Sequence, residues 1–143
     1  NALKENGLAP GALELQITEG SIMENIRTVI DLLYELRDMG VKIVLDNFGN
    51  GCSSISHLKK APIEKIKIDP VFIHALGTGS EDADVASAIV AMAKNLHLKV
   101  SAGGVETDGQ ALLLKKIGCD EYQGYLVSPS LPPGEISHFC APD

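Results

Sequence analysis

The sequence predicts an α/β fold, a partial (β/α)8 barrel of the TIM type with about five parallel βα units. Short runs of β-branched residues alternate with longer segments whose apolar residues recur at helical spacing. Strands separated by helices pair in parallel through right-handed crossovers, and helices then cover the outer face of the sheet. Polar residues also follow the carboxyl ends of the predicted strands: Glu19, Asp46, Asp69, Glu106 and Gln123. A barrel distributes its site over this rim, whereas an open doubly wound sheet concentrates it at one switch point, so the pattern favours the barrel.

The first βα unit combines a strand over residues 13–17 with a helix over residues 22–39, whose apolar residues form one stripe. Ser21 and Glu24 form a capping-box pattern at the start of this helix. Gly40 stands where a left-handed C-terminal cap is expected. These signals predict an amphipathic helix that covers the sheet.

The second and third units are shorter. A strand over residues 41–45 leads into the turn-rich segment DNFGNGCSS and a short helix over residues 55–59. The third strand is expected over residues 65–68, directly followed by a helical turn over residues 71–76. The connections are thus short, as in compact α/β units.

The last two units contain the best helix signals of the chain. A helix over residues 84–96 precedes a strand over residues 98–102. The next helix begins at Thr107, with Gln110 in the capping-box position, and ends at Gly118. A short fifth strand is expected over residues 121–125, and the proline-rich tail is expected to form a loose turn or a single helical turn.

Composition excludes several classes of protein. The 143 residues are 45% apolar and 22% charged, which describes one soluble globular domain. No segment approaches the roughly 18 consecutive apolar residues of a membrane span, and the first residues lack the order of a signal peptide, so we expect a cytoplasmic protein without membrane contact. The net charge of -7 argues against a nucleic-acid partner, because phosphate backbones are held by clustered Lys and Arg.

The chain is too short for a complete barrel, which needs about 200 residues and eight strands. We therefore expect that the first three strands are missing from these 143 residues. Five unclosed strands would leave two open edges and an inward-facing apolar layer in water. This predicts self-association or a protein partner at the exposed barrel edges.

The strand-end segments together resemble one known family. LELQITEG, VLDNFGNGCSSISHLKKAPIEKIKID, SAGGVET and GCDEYQGYLVSPSLP, in this order and spacing, resemble the second half of EAL domains, the cyclic-di-GMP phosphodiesterases of bacterial signalling. The resemblance covers nearly the whole chain, so residues 1–143 are interpreted as the C-terminal portion of an EAL-like domain. It implies a barrel that binds two divalent cations, Mg²⁺ or Mn²⁺, and hydrolyses one phosphodiester bond of cyclic di-GMP to a linear dinucleotide.

Three acids of the family pattern are missing from this sequence. Gln16 stands where the motif E-x-T-E has its first Glu, a metal ligand, and Asn47 replaces the second acid of D-D-F-G-T-G. Gly103 replaces the Glu of A-E-G-V-E-T to which the family assigns the general base. One charge about 4 Å from a monovalent partner is worth about 4 kcal/mol at an effective dielectric of about 20, before desolvation. The loss of three charges predicts that this chain binds neither Mg²⁺ nor Mn²⁺.

Other family positions are kept. By resemblance, Lys67 of the K-I-D motif is catalytic and positions the attacking water or the phosphate, while Glu19 stabilises the loop after the second strand. The resemblance also implies that Asp46 is a metal ligand and that Asp69 is a second catalytic residue. It further implies that Glu106 and Gln123 bind the nucleotide. Spacing alone leaves another interpretation open, in which Asp46 and Asp69 are solvated or loop-capping acids and Glu106 complements the dipole of the following helix.

Three functions are therefore compared. The leading hypothesis is a degenerate, catalytically inactive EAL domain that acts as a regulatory or protein-interaction module. The first alternative is a metal-dependent phosphodiesterase that hydrolyses cyclic di-GMP. The second alternative is a non-catalytic receptor that binds cyclic di-GMP in the pocket of Glu106 and Gln123.

Overall fold

The computed structural model describes residues 2–23, 26–51, 58–77 and 81–139. Five strands in this part of the chain form one sheet, with helices between them. In chain order the elements are α1 (Ala2–Glu5), a 3-10 turn (Pro10–Ala12), β1 (Glu14–Thr18), α2 (Glu19–Met23), α3 (Ile26–Asp38), β2 (Lys42–Phe48), β3 (Lys65–Ile68), α4 (Pro70–His74), α5 (Glu81–Asn95), β4 (Lys99–Ala102), α6 (Asp108–Ile117), β5 (Glu121–Tyr122) and α7 (Pro133–Phe139).

The sheet has the order of a barrel segment. The strands lie in the spatial order β1-β2-β3-β4-β5, and every neighbouring pair is parallel. An open doubly wound sheet would reverse its order at a switch point, so the predicted fold class is confirmed. The pairing of β2 with β3 shifts register between Leu45 and Phe48, near the carboxyl end of β2.

The apolar core lies between the outer face of the sheet and the helices. Alternate residues of each strand point to this face, and Ile43, Leu45, Ile66, Ile68 and Val100 are at most 1% exposed there. Leu33 of α3, Val90 of α5 and Leu114 of α6 are also buried in this cluster, and they come from helices that cover the sheet. Among the described helices, none combines the length and apolarity required to cross a bilayer.

The concave face of the sheet differs from the sequence prediction. The apolar inward-facing layer expected there is wrong, because two cavities on this face are lined mainly by charged and polar side chains. On β2, β3 and β4 the residues of this face alternate with buried apolar residues of the outer face. Glu14 and Glu121 carry the charge opposite to that of Lys65, which forms ion pairs with both. The residues of this layer are Glu14, Gln16, Lys65, Lys67, Ser101, Glu121 and Gln123, together with Val44.

The start of the first long helix was also predicted wrongly. Helix α2 begins at Glu19, three residues before the expected start, and contains Ser21. Thr18, the last residue of β1, explains the earlier start, because its Oγ1 accepts the Ser21 backbone N–H at 3.4 Å and therefore acts as the cap. Glu24, the expected partner of Ser21, lies outside the described residues.

The predicted caps of α6 are confirmed. Thr107 and Gln110 form a reciprocal capping box, and Gly118 ends the helix in the left-handed conformation with φ of 91°. Elsewhere the boundaries differ: α5 begins at Glu81 rather than residue 84, β5 has two residues, and α7 is longer than a single turn. Most of the predicted helix over residues 55–59 lies outside the described part of the chain.

Candidate functional site

Lys67 stands at the centre of the predicted site, on β3. Its ammonium Nζ donates a hydrogen bond to Gln16 Oε1 of β1 at 3.2 Å and lies 3.7 Å from Asp46 Oδ1 of β2. The Lys67 side chain is only 14% exposed and that of Asp46 22%. Strands β1, β2 and β3 lie side by side in the sheet, which brings these three residues together. The result is a half-buried ammonium group that two oxygen atoms face.

Asp46 is held by the backbone that follows it. The Asn47 N–H donates to Asp46 Oδ1 at 2.9 Å, and this is the oxygen that also faces Lys67. Asn47 has φ of 54°, a left-handed conformation in which Asn is enriched among the residues other than glycine. The Asn47 side chain is exposed. The predicted metal ligand Asp46 is thus already engaged by a backbone donor and by a cation of the chain itself.

Asp69 caps helix α4. Its Oδ1 accepts the Val71 backbone N–H at 2.9 Å, and its Oδ2 accepts from Asn50 Nδ2 at 3.4 Å. Pro70 occupies the first turn of α4, where its missing N–H leaves no unmet bond. The capping interpretation, which spacing alone had left open, therefore describes Asp69 in this structure. A catalytic role for Asp69 remains a prediction that rests on the family resemblance.

Gly103 lies beside Lys67 at the end of β4. The residue is buried, and a Cβ atom built there would lie 3.2 Å from Lys67 Cε and 3.8 Å from Pro70 Cγ. The position that the resemblance assigns to the general base therefore faces the Lys67 side chain. Glycine offers no group at this point that accepts a proton, so any water near Lys67 lacks a base from Gly103.

A second cavity, larger than the one lined by Lys67, lies on another side of Gln123. Its volume is about 470 Å³, and its lining includes Glu106 and Gln123, the two predicted nucleotide-binding residues. His74 Nε2 lies 3.9 Å from Glu106 Oε1, and both side chains are about half exposed. Tyr125, which is 73% exposed, contributes an aromatic ring to the same cavity. The cavity thus combines a carboxylate, an amide, an imidazole and an aromatic ring.

The backbone around Gln123 fixes the position of this cavity relative to β4. The Gln123 N–H donates to the Ala102 carbonyl at 2.9 Å, and its own carbonyl accepts from the Val105 N–H at 3.1 Å. Gly124 is required next, because a Cβ atom there would overlap the backbone of Val105. The close approach of these two segments explains the glycine of the Q-G-Y motif.

Sequence reasoning missed His74 and Tyr125 as cavity residues. The sequence around His74 gives no indication of a site, since no acid stands near it at ligand spacing. Helix α4 brings it beside Glu106, which follows another strand 32 residues further along the chain. The position of His74 in the first helical turns after a strand end is the signal that could have indicated it.

Glu19 lies against the start of the loop that it was predicted to stabilise. Its side chain belongs to a residue only 7% exposed, and Oε2 has no hydrogen-bond partner among the described residues. A Cβ atom on Gly51 would collide with this same oxygen. The rest of the loop, residues 52–57, lies outside the described part of the chain. The loop-stabilising role therefore stays a prediction.

The side chains at the predicted site do not fit a pair of divalent cations. Across residues 2–23, 26–51, 58–77 and 81–139, no three His, Cys, Asp or Glu side chains are grouped as metal ligands. Hard cations require several converging oxygen ligands. Here Asp69 caps a helix, and Asp46 faces the Lys67 ammonium, whose positive charge opposes a second cation at the same place.

Comparison with known proteins gives a consistent result. The family model described as "EAL domain" matches residues 1–130. The cyclic di-GMP phosphodiesterase NbdA of Pseudomonas aeruginosa is 43% identical over 97% of this chain, which corresponds to 18% of NbdA. The bifunctional diguanylate cyclase/cyclic di-GMP phosphodiesterase MucR of the same organism is 40% identical over 95% of this chain and 20% of its own length. The chain thus spans about a fifth of these curated relatives.

Solved structures give the same match in three dimensions. The PaMucR phosphodiesterase in complex with c-di-GMP superposes with a TM-score of 0.90 at 40% identity and covers 95% of this chain and 55% of its own. Klebsiella pneumoniae BlrP1 was solved as a manganese/cy-diGMP complex, and it has a TM-score of 0.77 at 29% identity over 87% of this chain and 32% of its own.

Proposed function

This chain belongs to the EAL domain family of cyclic di-GMP signalling proteins, and from that premise we propose that it is a degenerate, catalytically inactive EAL domain that acts as a regulatory or protein-interaction module. One observation carries the proposal: the Lys67 ammonium is faced by one carboxylate, Asp46, and by the neutral amide of Gln16, where the resemblance implies a second carboxylate. The Lys67 charge is thus balanced by a single acid, which leaves no excess negative charge at this point for a pair of cations. The family resemblance implies Mg²⁺ or Mn²⁺, and we propose that this chain binds neither.

The chemistry of the remaining residues supports the same proposal. Hydrolysis of a phosphodiester needs a water molecule that loses a proton to a nearby base, and such assistance contributes about 10² to 10⁴ in rate. Gly103 supplies no base beside Lys67. When bound, a divalent pair would supply the activated water and clamp the phosphate, but Gln16 and Asn47 add no negative charge for it.

An assay of cyclic di-GMP turnover tests this proposal. We expect the native protein that carries this chain to leave cyclic di-GMP intact in the presence of Mg²⁺ or Mn²⁺. Formation of the linear dinucleotide, abolished by Asp46→Ala, would contradict inactivity and would support the alternative of a metal-dependent phosphodiesterase. If an additional catalytic domain contributes turnover, Asp46→Ala leaves that turnover unchanged, and inactivity of this chain stands.

The cavity at Glu106 and Gln123 favours one form of the regulatory role, a non-catalytic receptor for cyclic di-GMP. Its volume of about 470 Å³ suits part of a nucleotide, and Gln123 also faces the small cavity of Lys67. A phosphate group at Lys67 and a base in the larger cavity would use both. Calorimetry with cyclic di-GMP in EDTA tests the receptor role. Heat of binding without divalent metal would identify a receptor, whereas no heat would favour a protein-interaction module that does not bind the nucleotide.

Partners and location complete the proposal. In the described sheet, β1 and β5 each have a paired strand on one side only. We propose that these edges contact a protein segment or a second copy of the chain, because unpaired strand edges favour association. The predicted cytoplasmic location agrees with signalling by a nucleotide.

A further inference from the structure

Lys65 is a buried cation on the concave face that the proposed function does not use. Its side chain, on β3, is only 8% exposed. The Nζ atom donates to Glu14 Oε1 of β1 at 2.9 Å and to Glu14 Oε2 at 3.1 Å, and it donates to Glu121 Oε2 of β5 at 2.6 Å. A single ammonium group therefore joins the first and the last strand of the described sheet.

The charge of Lys65 is stabilised at this position. Burial by itself would lower its pKa, but the hydrogen bonds to Glu121 and Glu14 and the charges of these carboxylates raise the pKa above its ordinary value. The ammonium therefore stays protonated in its buried position, and both ion pairs persist at neutral pH.

These three residues form a layer directly beneath the candidate site. Two residues further along the chain stand Gln16 on β1, Lys67 on β3, and Gln123 directly after the end of β5. Residues two apart in a strand share a face and lie about 7 Å apart along it. Side chains from alternate strands stack in such layers inside barrels. All six side chains line one narrow cavity of about 80 Å³.

The ion pairs constrain the curvature of the sheet. Neighbouring strands lie about 4.8 Å apart, so β1 and β5 are each about 10 Å from β3 along the sheet. The side chains of Glu14 and Glu121 meet one Lys65 ammonium from opposite sides, which requires the two outer strands to curl towards β3. In the layer above, Lys67 Nζ of β3 donates to Gln16 Oε1 of β1 at 3.2 Å, which also spans two strand spacings.

We propose that Lys65 is a positioning residue for the candidate site: its ion pairs with Glu14 and Glu121 hold β1 and β5 at the spacing that places Gln16 and Gln123 on either side of Lys67. The geometric part of this proposal is independent of the ligand. Its consequence for nucleotide affinity rests on the proposed receptor function.

Two substitutions and one control test the proposal. Lys65→Met removes the charge and keeps an unbranched side chain, whereas Lys65→Arg keeps the charge and the ability to bridge two carboxylates. Lys42→Met is the matched control, because Lys42 of β2 is exposed and lines the same end of the concave face. It removes an equal charge without breaking the bridge between β1 and β5.

The readouts are the side-chain amide resonances of Gln16 and Gln123 in the NMR spectrum of the native protein, and its calorimetric affinity for cyclic di-GMP in EDTA. We expect Lys65→Met to shift both amide resonances and to weaken binding at least tenfold. We expect Lys65→Arg and Lys42→Met to stay within twofold of the parent, with both resonances in place. Unchanged resonances in a folded Lys65→Met protein would overturn the proposal.

A second variant is needed in case Lys65→Met does not fold. The triple variant Glu14→Gln, Lys65→Met, Glu121→Gln removes both ion pairs and leaves no unpaired buried charge, so any effect on the site comes from the loss of the ion pairs and not from an unpaired carboxylate. Shifted amide resonances in this variant support positioning by Lys65, and resonances at the parent positions refute it. If the parent itself releases no heat with cyclic di-GMP, the receptor function fails, while the resonances still decide the role of Lys65.

Discussion

Lys67 determines the chemistry of the site at the scale of single residues. The same ammonium group contacts Gln16 and faces Asp46, and Gly103 lies close to the Lys67 stem, where an added Cβ atom would be only 3.2 Å from Lys67 Cε. A positive charge held in this way suits a phosphate group better than a second cation. Hydrogen bonds that involve a charged group contribute about 1.5 to 3 kcal/mol, so removal of the Lys67 ammonium should weaken phosphate binding by an energy in this range.

Substitution of Lys67 tests this role. We expect Lys67→Met to weaken cyclic di-GMP binding by about tenfold to a hundredfold, because a charge-assisted bond to phosphate disappears. Calorimetry in EDTA measures the change. Lys116→Met, an exposed residue of α6, is the matched control and should bind as the parent does. Equal affinities of the Lys67→Met variant and the parent would show that the phosphate lies elsewhere.

Restoration of the three missing acids tests the cause of the proposed inactivity. We expect the combined variant Gln16→Glu, Asn47→Asp, Gly103→Glu to bind Mn²⁺, because it returns the three negative charges that the family resemblance implies at these positions. Gly103→Glu alone should bind no Mn²⁺, since its new carboxylate would stand beside the Lys67 stem and pair with that ammonium. Calorimetric titration with Mn²⁺ compares the two variants. If the combined variant binds no Mn²⁺, the three missing charges do not by themselves explain the proposed absence of metal binding.

The residue scale also shows what the strand-end pattern could predict. Parallel strands must present their carboxyl ends at one edge, so the place of Asp46 at this edge followed from its position in the sequence, whereas Gln16 and Lys67 lie within their predicted strands. The capping role of Asp69 did not follow, because an acid after a strand suits a cap and a catalytic site equally well. The meeting of His74 with Glu106 depends on the direction of α4, which no local pattern encodes.

Individual elements are connected by a few polar contacts, and Asp120 provides one of them. Its Oδ1 accepts from Lys94 Nζ of α5 at 2.5 Å, and its Oδ2 accepts the Val100 backbone N–H of β4 at 2.7 Å. Burial alone would raise the pKa of this carboxyl, but the hydrogen bonds from Lys94 and Val100 lower the pKa below its ordinary value. Asp120 therefore links helix α5 to strand β4.

Replacement of Asp120 tests this link. We expect Asp120→Asn to lower the free energy of unfolding at pH 7 by about 1 to 2 kcal/mol, because a charged acceptor is lost. A carboxyl whose pKa is lowered by folding stabilises the native state above its unfolded pKa of about 3.9, and this contribution disappears as the pH falls through the folded pKa. Urea unfolding at several pH values should thus show the difference shrink in acid.

Asp31→Asn provides the control for that experiment, since Asp31 is an exposed residue of α3. We expect its unfolding free energy to match the parent at every pH. A difference between Asp120→Asn and the parent that persists unchanged well below pH 3.9 would show that the carboxylate charge is not responsible.

Elements with complete local signals were predicted best. Helix α6 has a capping box at Thr107 and a left-handed glycine at Gly118, and both are present as expected. The start of α2 was wrong, because Thr18 is both the end of a strand and the cap of the next helix. A residue that serves two elements gives no separate signal for either one.

The whole molecule is a curved sheet whose two faces have opposite character. The convex face is apolar and covered by helices, and the concave face is polar. The sequence KIKI shows alternation on β3, but it does not indicate which residues point inwards. Lys65 finds its partners 51 and 56 residues away along the chain. Neutralisation across such distances is visible only in the folded structure.

The polar concave face changes the expected mode of association. Since the described part of that face is mainly polar, the open edges of β1 and β5 are the remaining reason to expect association. We expect the 143-residue chain, produced alone, to sediment as dimers or larger species at micromolar concentration. Analytical ultracentrifugation measures this property. A monodisperse monomer at the same concentration would contradict association through the edges.

The account as a whole depends on which cation balances Asp46. Anomalous scattering from crystals of the native protein grown with Mn²⁺ measures this directly. We predict no manganese peak within about 2.5 Å of the Asp46 carboxylate, the range of metal–oxygen bonds, and we predict Lys67 Nζ in its contact with Gln16. A pair of manganese peaks at Asp46, with Lys67 displaced from Gln16, would contradict the account.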